Sequence, residues 1–361
     1  MTDTVSTRPP KQEQERATTD VGEVAPGVLR MQLPIDMPGL GHVNCYVLED
    51  ARGIAVVDPG LPGVEAWTAL EDRLGRAGYR VADVHTVIVT HAHPDHFGGA
   101  LRLRAETDAA IVTHASFRTF FGRPDQLGSE DSGELVLNTF DEQVEAIERA
   151  FGEPAPWGGR RAGPPREYLE MWRRDGAGRD LPIEPLVPTR PLVEGQTIEL
   201  ARREWVAMHT PGHTHDHLCL YDPEFGVVLT GDHVLPTITP HIGGLTPHHD
   251  PLAQYFDSLV RIAGVSGVSI ALPAHGHPFT DLAGRSASII EHHQERLDVI
   301  RQASGELPDG TVTEFMRVLF RERSWGEMAE SETYAHLEHL RELGEFTRTA
   351  VDGQARYRRT A

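Results

Sequence analysis

Apolar positions along this chain fall into short strand-like runs separated by helical spacings. Runs at 28–33, 43–49 and 53–58 predict three strands, the spacing over 62–77 predicts a helix, and Thr86-Val87-Ile88-Val89-Thr90 predicts a fourth strand. Phe97-Gly98-Gly99-Ala100-Leu101 opens another helix, and a short strand is expected at 109–113. The pattern resumes as one strand-like run over 191–200, continues through strands at 203–209, 217–221 and 225–230, and closes with a helix at 251–263 and a strand at 268–273. This order predicts an α/β protein in which helices cover two packed sheets.

Residues 115–190 interrupt that pattern as an insert punctuated by Gly and Pro, at 152–159 and 163–165. Val136, Phe140, Val144, Ile147 and Phe151 recur at helical spacing, and Tyr168, Leu169, Met171 and Trp172 form a second apolar group. The insert is either a cap that binds an apolar acyl group or a packing and dimer element. Residues 304–361 read as helices at 311–320 and 331–343, with a further region at 325–330, then a hairpin turning at Asp352-Gly353. The helix Ser331–Leu343 carries three glutamates and one arginine, a poor composition for entering a DNA groove.

Charge narrows the partners further. The 361 residues carry a net charge of −20, which opposes a nucleic-acid or anionic-membrane surface. Cys45 and Cys219 both sit inside apolar runs and read as small buried hydrophobes, in keeping with a reducing cytoplasm. Residues 1–22 begin with a stretch rich in Thr, Pro, Gln and charge and read as a disordered leader. No apolar run approaches the length of a membrane span.

The densest chemistry follows the strand at 86–90. His91, His93, Asp95 and His96 place three imidazoles and a carboxylate within six residues, and Pro94 biases His93 away from helical geometry. Strand, ligand loop and helix is how α/β proteins present chemistry at strand ends. Three more strand-like runs lead into His213, Asp232 and His275. Imidazole and carboxylate suit zinc and, less selectively, iron, manganese or cobalt, so the first reading is a hydrolase that activates water.

With His91-x-His93-x-Asp95-His96 followed by His213, Asp232 and His275, the chain resembles the metallo-β-lactamase-fold hydrolase superfamily. That resemblance implies an αββα four-layer sandwich over 23–303, carrying the helical insert at 115–190, with a small winged-helix-like domain at 304–361. It implies two divalent metal ions, zinc first and iron or manganese as alternatives. One would be held by His91, His93 and His213, the other by Asp95, His96 and His275, with Asp232 bridging. Asp95 and Asp232 are the catalytic carboxylates on this reading, and Asp58 matches the aspartate that orients ligands in the family. Tyr168, Met171, Trp172 and His241 are named for a substrate pocket.

Thr90-His91-x-His93 and Pro211-Gly212-His213-Thr214 resemble the glyoxalase II hydrolases, although the tail differs from their glutathione-binding helices. Leu235 stands where quorum-quenching lactonases carry a tyrosine, and His93 where flavodiiron proteins carry a glutamate. The expected activity is therefore hydrolysis of a thioester or related acyl ester by a hydroxide held between two metals. A phosphodiesterase or endoribonuclease is the rival, and a mononuclear iron persulfide dioxygenase a third reading. The expected partner is a small acyl substrate, with no nucleic acid or membrane; a homo-oligomer stays open.

Overall fold

A computed structural model of the chain describes residues 11–37, 39–119, 141, 144–145, 147–148, 152, 154–158, 163–173 and 186–360. Strands β1 (Val21–Ala25), β2 (Val28–Met37), β3 (Leu40–Asp50), β4 (Gly53–Val57), β5 (Val84–Ile88), β6 (Ala110–His114) and β7 (Arg190–Leu192) form one sheet in sequence order. The second sheet runs β12-β11-β10-β9-β8, with β8 at Thr197–Leu200, β9 at Arg203–His209, β10 at Leu218–Asp222, β11 at Val227–Gly231 and β12 at Ile270–Pro273. The run expected over 191–200 is thus two strands in different sheets. Gly195, at φ +76°, sits in the turn where the chain crosses from one sheet to the other.

The helices are α1 (Val64–Arg76), α2 (Pro94–Phe97), α3 (Ala100–Thr107), α4 (Arg166–Trp172), α5 (Pro251–Ala263), α6 (Leu282–Ala303), α7 (Val312–Leu319) and α8 (Glu327–Glu342). Period-two alternation decides which layer each strand residue enters. Along β3, Val43, Cys45 and Val47 face a core shared with α1 and α3, while Tyr46 and Leu48 face the other sheet. Along β11, Val227 and Leu229 meet that inter-sheet core, and Val228 turns to α5 and α6. Two sheets back to back with helices outside give the four αββα layers. Trp205, fully buried between the sheets, should cost about 3–5 kcal/mol on truncation to Ala.

The tail does not close a core of its own. Phe315, Leu337, Leu340 and Tyr357 lie in one continuous cluster with Leu259, Ile289, Leu297 and Ile300 from α5 and α6. The expected hairpin is present as β14 (Phe346–Val351) and β15 (Gln354–Arg359), turning through Asp352 and Gly353 at φ +50° and +76°. Both central residues in the left-handed region are what a two-residue hairpin turn requires. A short strand β13 (Gly310–Thr311) pairs with β15 to complete a three-stranded sheet. Leu343 is exposed at the end of α8.

Two further expectations change. Residues 11–22, read with the leader, are tied to the body. The Glu13 carboxylate is buried and accepts from the Thr237 and Ile238 main-chain N–H groups at 2.7 and 3.0 Å, and the Glu15 carbonyl accepts from His42 Nδ1 at 2.7 Å. In the insert, Ala155 and Trp157 enter the core cluster of the tail, and Trp157 packs near Tyr334 with ring centroids 5.1 Å apart. That stretch is a packing element. Val144 and Ile147 are buried as their spacing predicts, whereas Val136, Phe140 and Phe151 lie outside the described residues. No described helix is long and apolar enough to cross a membrane.

Candidate metal centre

Four strand ends converge here. β5 delivers His91 to His96, β9 leads into His213, β11 ends beside Asp232, and β12 leads into His275. Hydrogen bonds lock these ends together: Asp58 N–H to the Ile88 carbonyl at 2.9 Å, Ala274 N–H to Gly231 at 3.0 Å, and Leu218 N–H to Thr90 at 2.8 Å across the two sheets. Pro94 occupies the first turn of α2 and His93 before it is extended, the backbone that an X-Pro step favours.

The seven side chains form two groups. His91 Nε2 lies 2.9 Å from His93 Nδ1, which lies 3.1 Å from His213 Nε2. In the second group Asp95 Oδ2 is 3.4 Å from His96 Nε2 and 3.5 Å from His275 Nε2. Asp232 stands between the groups: Oδ2 is 3.6 Å from His213, 3.7 Å from His96 and 4.0 Å from His91, and Oδ1 is 3.3 Å from His275. Donors about 2.0–2.2 Å from a tetrahedral ion sit roughly 3.4 Å apart, so the spacing suits metal ions.

The outward ring nitrogens are already engaged. His213 Nδ1 donates to the His241 carbonyl at 2.7 Å, and His275 Nδ1 to the His42 carbonyl at 2.6 Å. Asp58 accepts from Thr90 N–H at 2.9 Å, from Thr90 Oγ1 at 2.8 Å and from His96 Nδ1 at 2.9 Å. These bonds turn the Nε2 atoms of His213, His275 and His96 inward, as in metal-ligating histidines. His96 Nε2, His275 Nε2 and Asp232 Oδ1 are buried without a hydrogen-bond partner among the described residues. Orphaned polar atoms of this kind fit the coordination of a cation.

Electrostatics agree. Burial, then neighbouring imidazoles, pushes His91 far below its ordinary value and His93 down to about 3. Burial would likewise depress His275, but Asp232 and Asp95 outweigh it and raise it to about 10; Asp95, Asp58 and Asp232 raise His96 against the same burial. Asp95 and Asp232, which burial alone would raise, are lowered by His96 and His275. Protons on His96 and His275 answer the carboxylates here, and metal binding at such a site displaces protons.

The chain belongs to the metallo-beta-lactamase superfamily, whose family model matches residues 38–275. It is a hydrolase-superfamily chain with a metal-binding set of residues. A metallo-beta-lactamase family protein of Thermus thermophilus superposes with a TM-score of 0.71 at 30% identity, covering 94% of this chain and 100% of that one. Lactamase-like protein aptB of Emericella nidulans is 26% identical over 72% of this chain and 60% of its own length. The atrochrysone carboxyl ACP thioesterase nsrC of Aspergillus novofumigatus is 30% identical over 41% of this chain and 44% of its own length. The chain therefore spans less than two thirds of several of the curated relatives it matches.

The residues named for a pocket disperse. Met171 is exposed in a groove with Val64, Glu65, Glu167 and Glu170, which none of the seven metal-site residues lines. Tyr168 is on the same helix α4, and the Trp172 side chain lies outside the described residues. His241 touches the centre through its carbonyl, and its ring meets Glu332. Sequence reading passed over His217, whose Nε2 accepts the Asp232 main-chain N–H at 3.0 Å; the run of histidines at 213, 215 and 217 was the available signal. It also passed over a third group, His293, Glu332 and His336, between α6 and α8.

Proposed function

We propose that the chain is a metal-dependent acyl hydrolase that cleaves a thioester or related acyl ester at a dinuclear site. The observation that carries this reading is Asp232, one carboxylate with its two oxygens 3.3–4.0 Å from histidines of both groups. His91, His93 and His213 would hold one ion and Asp95, His96 and His275 the other, with zinc the first choice for imidazole and carboxylate. Bound there, the ions would supply Lewis acidity and activate water at neutral pH.

The chain's own contribution is orientation. Asp58 aims His96, the His42 carbonyl aims His275, and the His217 ring steadies the Asp232 main chain. A thiol, with a pKa of about 8.5, leaves as thiolate without a dedicated acid, whereas an alkoxide or amine benefits from one. Thioesterase-named relatives support the same preference. The net charge of −20 favours a small acyl substrate over RNA.

The test is a screen of metal-quantified protein against acyl-CoA, acyl-glutathione, lactone, phosphodiester and RNA substrates. Thioester turnover proportional to metal content is the expected result. Clean cleavage of RNA or a phosphodiester, lost in His93→Ala, would replace this reading with the nuclease.

A further inference from the structure

The loop after Asp232 runs without regular structure from His233 to Asp250, and it provides the only hydrogen bond His213 makes outside the metal-site residues among the described residues. His213 also lies on a loop, and together with His93 it is less buried than His91, His96 and His275. The orientation of His213 therefore depends on how firmly the His241 carbonyl is held.

What holds it is the tail. The His241 ring meets Glu332 of α8, Nδ1 to Oε2 at 3.2 Å, and Glu332 Oε1 pairs with Arg296 of α6 at 3.0 Å. On either side α8 grips the same loop. Gly244 N–H donates to the Ser331 carbonyl and hydroxyl at 3.2 and 3.0 Å, and a Cβ at Gly244 would stand 2.3 Å from the Tyr334 ring. Further along, His339 Nδ1 meets Asp250 at 3.0 Å. Ser331, Tyr334 and His339 thus hold the loop independently of His241. Glu332 adds a mostly buried charge, 12% exposed, that reaches His241, and its desolvation is offset by His241 and Arg296, with His336 also favouring the charged form.

We propose that Glu332 is a positioning residue of the metal site: by fixing the His241 ring it fixes the His241 carbonyl, which orients His213 for its ion. The inference rests on the metal-site reading above. It makes the tail part of the centre, three links from His213: carboxylate, imidazole, main-chain carbonyl. A plain ion pair between α6 and α8 would instead contribute to stability and leave the metal alone.

Full-length protein decides between these roles. Zinc affinity is read by competition with a chromophoric chelator, and ligand geometry by the visible spectrum of the cobalt(II)-substituted protein, with unfolding temperature recorded alongside. Losing a partner that orients a ligand costs roughly 10–100-fold in metal affinity, and one link further out the low end, about tenfold, is expected for Glu332→Gln. His241→Ala keeps the carbonyl and loses the tether, so it should weaken zinc similarly and shift the cobalt spectrum in the same way. The double variant should be no weaker than either single one, because both cut the same chain. Wild-type affinity and spectrum in folded Glu332→Gln, or losses from the two substitutions that simply add, overturn the proposal while leaving the metal centre standing. A wild-type protein that takes up no zinc overturns the metal-site reading and this inference together.

Discussion

Two buried histidine clusters in this chain look alike in geometry and differ in charge. At the strand ends, ring nitrogens converge at 2.9 and 3.1 Å; between α6 and α8, His293 Nδ1 and His336 Nε2 converge at 3.0 Å. Each places a carboxylate nearby, and each fixes a ring from behind, His336 Nδ1 donating to the Glu332 carbonyl at 2.7 Å. The strand-end cluster, however, gathers Asp58, Asp95 and Asp232, and it draws protons onto His96 and His275. The helical cluster has a single carboxylate already paired with Arg296, and burial followed by the neighbouring imidazole holds His293 down at about 2. One site is short of positive charge and the other rejects more. Converging lone pairs alone do not mark a cation site; carboxylates beside them with no Arg or Lys partner do.

The largest effect should come from Asp232→Ala. Removing the shared carboxylate should lose at least one equivalent of metal and most turnover, well beyond the 10–100-fold that outer partners cost. Metal analysis and kinetics of the purified variant check it; full occupancy with unchanged turnover would remove the bridging role.

Arg296→Met attacks the comparison from the other side. It leaves Glu332 buried without its cation, at a cost of about 3–5 kcal/mol. If charge is what separates the clusters, added zinc should now restore part of the lost unfolding temperature and bind as an extra equivalent, which the native protein should not take up. An extra equivalent in the native protein would defeat the distinction.

A smaller effect is acid sensitivity. His336 is pushed from an ordinary 6.5 down to about 4, by burial first, with Glu332 opposing. Between those values the unfolded chain binds a proton that the folded chain refuses, so stability is lost as pH falls through that window. The ceiling is about 3 kcal/mol, from 1.36 kcal/mol per unit. Urea unfolding at pH 7, 5.5 and 4 should show a shallower decline in His336→Gln; an unchanged slope would mean His336 does not report on this cluster.

How far could these features be read from residues alone? The seven residues that gather at the strand ends were legible as a group because their segments follow apolar runs, and strand ends are where α/β folds place chemistry. The 22-residue helix α6 was not, since its buried stripe of Leu282, Ser286, Ile289, His293, Leu297 and Ile300 includes two polar residues that break the apolar period. Glu13 reads as part of a polar leader until the Thr237 and Ile238 N–H groups it serves are seen beside it, 224 and 225 residues away. Glu332 is hidden for a similar reason. An acidic residue on a helix is ordinarily solvated, and only tertiary packing reveals that this one faces Arg296 and His241. The insert eluded a single reading because Trp157 packs while Met171 stays exposed.

The core that runs without a seam from Leu259 and Ile300 to Leu337 and Tyr357 has a consequence for how this protein can be inherited and handled. A module that folds alone can be shed, exchanged or cloned separately; a tail whose apolar residues finish another region's interior cannot. Cutting near residue 304 would expose one wall of that interior on each piece, so the chain should melt in a single cooperative step and yield no durable fragment to a protease. Substitutions that loosen the shared interior from the tail side should therefore lower the melting temperature of the whole chain.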